Sequence, residues 1–230
     1  MVKALGRCWR PHRGAALATA AVLALCACVS VEVGNDAGTQ VQFRLVDQAG
    51  ATAANGTPVG RTTGRELLVN PIAGSSVDDS FSLAFSRSPQ QRAAYQFASW
   101  SERPSSRLAT LAVERLAARR TFNSVAVLGR GVAGDLQLNL LVSDFYHDAA
   151  SSPGTARVGI DAELIDRSTR RLLARQRFEA TAAVEQANAA AAAAALSRAS
   201  TLALDALVAW VEKAAAPAAL AALPPQPPAL

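Results

Sequence analysis

The sequence predicts an α/β fold: a mixed, largely antiparallel sheet with two main helices packed on it. Three observations predict it. Short segments with alternating apolar residues recur from about residue 42 to residue 182. Two stretches, 104–120 and 188–213, carry apolar residues at helical spacing instead. The elements run strands, helix, strands, helix, and a chain of 230 residues, half of them hydrophobic, is large enough for one core.

QFRLVD, residues 42–47, places Phe43 and Leu45 against Arg44 and Val46 and predicts a strand. A Gly-, Asn- and Pro-containing loop follows, with a turn signal at Asn55-Gly56. ELLVN, 66–70, predicts a short apolar strand that stops at Pro71. SFSLAFSR, 80–87, sets Phe81, Leu83 and Phe85 on one face. After SPQQ the chain resumes with Tyr95 and Phe97 alternating, and the two segments predict a hairpin.

Pro104–Arg120 predicts a helix, with proline in its first turn and Leu108, Leu111, Ala112 and Leu116 on one stripe. Arg115, Arg119 and Arg120 complement the dipole at its end. SVAVL, 124–128, predicts a short strand. The segments 135–147, 156–166 and 171–182 alternate strongly and predict an antiparallel meander with one wet face, turning at DRSTR. From Asn188 to Lys213 an alanine-rich helix is expected, apolar at Leu196, Ser200, Ala203, Leu204, Leu207, Trp210 and Val211. Residues 214–230 are Ala/Pro-rich and predict a disordered tail.

The formal charge is +5, but Lys3, Arg7, Arg10 and Arg13 supply four of those charges before residue 28. The remainder has no basic stripe with interleaved aromatics, which argues against a nucleic-acid partner. Gly129-Arg130-Gly131-Val132-Ala133-Gly134 matches GxGxxG, but a strand-like segment follows where a phosphate-binding helix should begin, so a turn is expected. His147 is the only histidine after residue 12. It stands at a strand end, no GxSxG elbow is present, and a structural or surface role is expected rather than hydrolysis. Asp161, Glu163, Asp166 and Glu179 are spaced singly, as on the wet face of a sheet. No catalytic residue, metal site or cofactor is predicted. Tyr95, Phe97 and Trp100 cluster before the first helix, either as core or as a surface that receives a lipid or a partner.

The first 27 residues predict a secretory signal: a basic start, then the short apolar run 14–25, too short to span a bilayer comfortably. Leu25-Cys26-Ala27-Cys28 resembles the lipobox of bacterial lipoproteins, in which an aliphatic residue stands three places before an obligatory cysteine and a small residue just before it. The resemblance implies cleavage between Ala27 and Cys28, with Cys28 becoming the lipidated N-terminus. The alternative frame ending at Cys26 puts leucine where a small residue is needed. An uncleaved anchor is a further reading. A metal pair at Cys26 and Cys28 would want further ligands, and a disulfide two residues apart is strained. A triacylated cysteine anchors permanently. Val29 follows it, where aspartate usually retains lipoproteins in the inner membrane. That resembles outer-membrane cargo facing the periplasm. Residues 28–40 then form a tether.

Tyr95, Trp100, Pro104 and Leu108 are followed by Leu116, Phe122 and Val125. Next come Gly134-Asp135-Leu136, a long strand ending at Phe145, and Leu164, Asp166, Leu172 and Phe178, with Leu204, Leu207 and Trp210 in a terminal helix. In this order they resemble the ABC-type transport auxiliary lipoproteins, the lipoprotein members of MCE-type lipid transport systems such as the Pqi and Mla machines. The likeness covers residues 41–212. It implies a sheet with helices packed on it, akin to the N-terminal domain of TolB, over a domain 41–213. It implies no catalysis. It implies an outer-membrane-anchored partner for an MCE-domain protein and, through it, an ABC permease and ATPase. The longer tether and first loop, and the tail, depart from the pattern. A lipoprotein assisting outer-membrane protein, lipopolysaccharide or secretin assembly shares the lipobox and is the alternative. Whether the chain forms a homo-oligomer is left open by the sequence.

Overall fold

The computed structural model describes residues 39–49 and 63–217. The predicted signal, cleavage site and lipid attachment at Ala27 and Cys28 lie outside these residues, as do almost all of the tether and most of the tail. The described residues fall, apart from Thr39, in one compact unit that starts at Gln40. Its elements are β1 (Val41–Phe43), β2 (Glu66–Ile72), β3 (Ser82–Ser86), β4 (Ala93–Trp100), α1 (Pro104–Arg119), β5 (Ser124–Val127), β6 (Leu136–Asp148), β7 (Thr155–Asp166), β8 (Arg171–Ala183) and α2 (Ala189–Ala214).

The architecture is the predicted α/β sheet with two helices. Its long ladders, β6 with β7 and β7 with β8, are antiparallel. The shorter ladders of β1 with β4, β2 with β5, β2 with β6 and β3 with β6 are parallel. Strand β6 organises the sheet. Its 13 residues extend about 43 Å, longer than most strands. One edge pairs with β7 from end to end. The other edge is shared: β2 runs beside Leu136–Leu141, and β3 beside His147 and Asp148. The sheet therefore forks along β6.

The fork coincides with a bulge. The β6–β7 register shifts between Val142 and Asp144, so Ser143 has no partner. The extra residue reverses the alternation. Leu136, Leu138, Leu140 and Val142 point to the core before it, and Phe145 and His147 after it. Gly74, just past β2, lies against the same point: a Cβ there would sit 1.8 Å from the Val142 carbonyl oxygen. Only glycine lets the two backbones approach this closely.

Both helices cover one face. Helix α1 packs on β2, β5 and β6, α2 packs on β7 and β8, and the two helices touch. Pro104 opens α1, and Arg120 at its C-cap adopts φ 55°, so the helix ends where it was expected to. The N-cap Arg103 makes no side-chain cap; Asp79, 1% exposed, accepts from the Ser105 backbone N–H at 2.8 Å in its stead. Asn188 caps α2 by accepting from the Ala191 N–H at 2.8 Å. Helix α2 has the length and apolarity of a membrane span, but most of that window is buried against the sheet. Its alanines 192, 193, 195, 199 and 203 bring the helix close to the strands, with Leu196, Leu204, Leu207 and Val211 as the larger knobs. Helix and burial continue past the predicted boundary, since Ala215 is fully buried.

Two local expectations are corrected. The strand expected over 42–47 is only Val41–Phe43. The chain beyond it lies on the helices, and their side chains take its backbone bonds. Arg107 donates to the Leu45 carbonyl, Ser197 accepts from Val46 N–H, and Thr201 accepts from Gln48 N–H. The strand expected to stop at Pro71 continues to Ile72, pairing Pro71 with Leu140. Strand β5 ends opposite Val69, so Pro71 sits where β2 has become an edge on that side and a missing donor is tolerated.

Candidate functional site

Strands β3, β4 and β6 converge at the end of the sheet beside the start of α2, and a pocket of about 450 Å³ opens there. Its floor is a hydrogen-bonded pair. His147, 1% exposed, receives the Tyr95 hydroxyl at 2.8 Å on Nδ1. Its Nε2 lies 2.8 Å from the Pro153 carbonyl oxygen. A carbonyl only accepts, so Nε2 carries the proton and Nδ1 accepts from Tyr95. The two ring planes are parallel to within 2°.

Local sequence builds this arrangement. The bulge at Ser143 turns His147 to the inner face. The loop after β6 then folds back over it. Gly154 adopts φ 92°, and a Cβ there would stand 2.5 Å from His147 Nε2 and 2.3 Å from the Asp148 carbonyl oxygen. The loop after β6, exposed over residues 150–153, covers the imidazole with its inner side, and of the two roles expected for His147, structural or surface, it has the buried structural one.

Phe85 packs against Tyr95 at 5.0 Å between ring centroids, and the Arg87 guanidinium lies over Phe85 at 5.4 Å. Burial pushes the Tyr95 hydroxyl up from its ordinary value, against an opposing pull from the nearby Arg87 charge.

The structure does not bring Tyr95, Phe97 and Trp100 into one surface. Tyr95 is half-buried in the pocket, Phe97 is 47% exposed, and Trp100 is 2% exposed in the core, edge-on to Phe145 at 5.6 Å. Trp100 lies an odd number of residues from both others, so alternation alone turns it to the opposite face, and the register between β3 and β4 is irregular besides. Ala84 faces Ala94, but Ser82 faces Ser99, so β4 carries extra residues between Ala94 and Ser99. Alternation read from the sequence cannot show that slip.

This geometry supplies no general base. Both ring nitrogens of His147 are engaged, and the adjacent Asp148 is turned to Arg157 at 2.8 Å. The other acids are held by arginines across the wet face. Glu163 binds Arg175, Asp161 and Glu179 bind Arg177, and Asp166 binds Arg65 at 2.6 Å. Arg175 faces Glu163 and Arg177 faces Asp161 directly across the β7–β8 ladder. Gly129 and Gly131 have φ of 93° and 75° and form a turn between β5 and β6, as expected. Among the described residues no group of three or more His, Cys, Asp or Glu could hold a metal ion.

A feature the sequence did not reveal is the buried cluster around Arg115. Its guanidinium, 5% exposed, binds Asp47 at 2.6 Å and Asp205 at 2.6 Å, and Thr201 donates to Asp47. Burial raises the Asp47 carboxyl, but the Arg115 bonds outweigh it and hold it below the ordinary carboxylate value. The cluster ties the segment after β1 to both helices. Arg115 at i to Leu111 at i−4 gave the only signal, a cation on an apolar stripe.

Comparison with known proteins follows the same lines. The family model described as "ABC-type transport auxiliary lipoprotein component" matches residues 45–208. No curated protein matches the chain. A crystal structure of a DUF330 protein from Xanthomonas campestris is similar at TM-score 0.63 and 22% identity, covering 75% of this chain and 93% of that one. A second, titled only as an uncharacterized protein, is similar at TM-score 0.54 and 13% identity, over 67% of this chain and 96% of that one. At these identities the likeness is one of fold.

Proposed function

The chain belongs to the ABC-type transport auxiliary lipoprotein family, and from that premise we propose that it is a lipid-anchored accessory component of an MCE-type ABC system that moves phospholipid between the inner and outer membranes. Its part is to dock protein partners, and it performs no chemistry of its own. The observation that carries this reading is the family match over 45–208, which spans the domain from Leu45 to Val208. The engaged state of His147 and the ion-paired acids support a non-catalytic role.

In this reading Cys28, following cleavage after Ala27, carries the acyl chains and sits in the outer membrane on its periplasmic face. The tether gives reach: a dozen flexible residues span about 20 Å root-mean-square. The folded domain then meets the distal end of an MCE-domain protein, whose permease and ATPase lie at the inner membrane. The domain's rigid two-layer build suits a fixed docking platform.

The test is to crosslink intact cells, purify a C-terminally tagged copy from the outer membrane, and identify co-purifying proteins by mass spectrometry. An MCE-domain protein is the expected partner, lost in Cys28→Ala. Recovery of a barrel, a secretin or lipopolysaccharide machinery instead would assign the protein to envelope assembly and end the transport reading.

A further inference from the structure

The pocket at the end of β3, β4 and β6 is left unused by a docking role. Much of its wall is apolar or aromatic, from Phe85, Tyr95, Pro153, Ala149 and Ala187. Its volume lies in the range that holds a small molecule. Polar groups are confined to a few places. The Tyr95 hydroxyl and both His147 nitrogens are spent on each other and on Pro153, so the floor offers a ligand no donor. Gln96, Ser151 and Ser152 add neutral polar groups to the lining, and among the described residues its one cation is Arg87 at the rim. Arg92, Arg157 and Arg177 are ion-paired. Arg87, by contrast, has no carboxylate partner among the described residues and rests on the Phe85 ring alone.

We propose that this pocket binds a single-chain amphiphile, its anionic head on Arg87 and its apolar chain between Phe85, Tyr95 and Pro153. A bare inorganic anion would leave the aromatic walls uncovered, and an uncharged hydrophobe would make no use of the Arg87 charge at the rim. The amphiphile satisfies both. The head is a carboxylate or a phosphate monoester, either of which pairs with a guanidinium in the same forked geometry. The Tyr95–His147 pair acts as a fixed floor that sets the pocket's depth. This site is separate from any docking surface and stands or falls without the transport reading.

The test is a binding titration of the full chain carrying Cys28→Ala, which has no acyl groups of its own. The probe is cis-parinaric acid, a fluorescent fatty acid, with lysophosphatidate, oleate and inorganic phosphate as competitors. Saturable binding near one probe per chain is expected, displaced by oleate and by lysophosphatidate but not by phosphate. Displacement by oleate alone would assign a carboxylate head, and displacement by lysophosphatidate a phosphate head as well. Arg87→Gln should weaken the probe about tenfold, the loss of one charge-assisted hydrogen bond. Ala187→Trp, at an exposed rim position, should block it. Arg177→Gln, on the wet face of β8, should leave it unchanged. Far-UV circular dichroism and urea midpoints establish that each variant is folded. Absence of saturable binding overturns the proposal. So does unaltered binding in both folded pocket variants, or displacement by inorganic phosphate as effective as by the amphiphiles.

Discussion

At the residue scale, several side chains do work that their neighbours in sequence do not announce. Asp79 lies 26 positions from Ser105 yet caps α1. Asp79→Ala should lower stability by about 1 kcal/mol, seen as a reduced urea midpoint with an unchanged m-value. Asp166 governs the turn between β7 and β8. Partial burial raises its carboxyl, but bonds from Ser168, Arg65 and Thr169 prevail and hold it far below the ordinary range. A carboxyl depressed on folding contributes stability that is complete above its unfolded value, about 3.9, and is lost as pH falls through the folded one. Urea melts between pH 5 and pH 2 should therefore show the wild type losing stability as pH drops below about 4. Asp166→Asn should be less stable at pH 7 and show a shallower acid decline. An acid branch of unchanged slope would assign the decline to other carboxylates. Arg115 is the largest case. Its loss leaves Asp47 buried, 7% exposed, without its cation. Arg115→Ala should cost about 3 kcal/mol, and Asp47→Asn in the same chain should recover part of it.

At the element scale, the meander and both helices were legible because one physical rule dominated each. In β6, β7 and β8 one face meets the helices and the other meets water, so alternation is strong. In α2 a wide stripe meets the sheet, and the alanines allow close approach. The short strands were less legible. β1 ends at Phe43 because helix side chains, not a neighbouring strand, satisfy the backbone of residues 45–48. Local pattern cannot distinguish those two ways of meeting the same hydrogen-bonding demand. The fork is the element-scale feature most open to test. Gly74→Ala forces a methyl into the Val142 carbonyl. The expected result is a loss of at least about 2 kcal/mol, with amide exchange at β2 and β6 accelerated beyond that at β7 and β8. Equal acceleration everywhere would mean that the junction does not hold the two halves together locally. Edge strand β8 keeps its long free side from templating aggregation with the charges Arg175, Arg177 and Glu179.

At the scale of the whole molecule, β6 joins every part of the sheet. One branch enters through β2, the other through β3, and the meander leaves through β7. No branch owns a separate core, since a single cluster of buried residues runs from Leu45 to Ala215. Unfolding should therefore be one cooperative transition, with near- and far-ultraviolet circular dichroism superimposing in urea. Separate transitions would show that the β3–β4 branch and its pocket melt on their own. The sequence by itself determined the fold class, both long helices, the meander and its wet face, the turn at Gly129–Gly131 and the family, because these follow from periodicity, glycine and proline placement, and the order of apolar landmarks. Only the tertiary structure decided how the sheet forks, which aromatic residues are buried, and where the pocket lies. The fork and the inward turn of His147 depend on the unpaired Ser143, and the β3–β4 register slips between Ala94 and Ser99. An irregularity in register turns side chains from one face to the other. It is set by which strands meet, information no single strand carries.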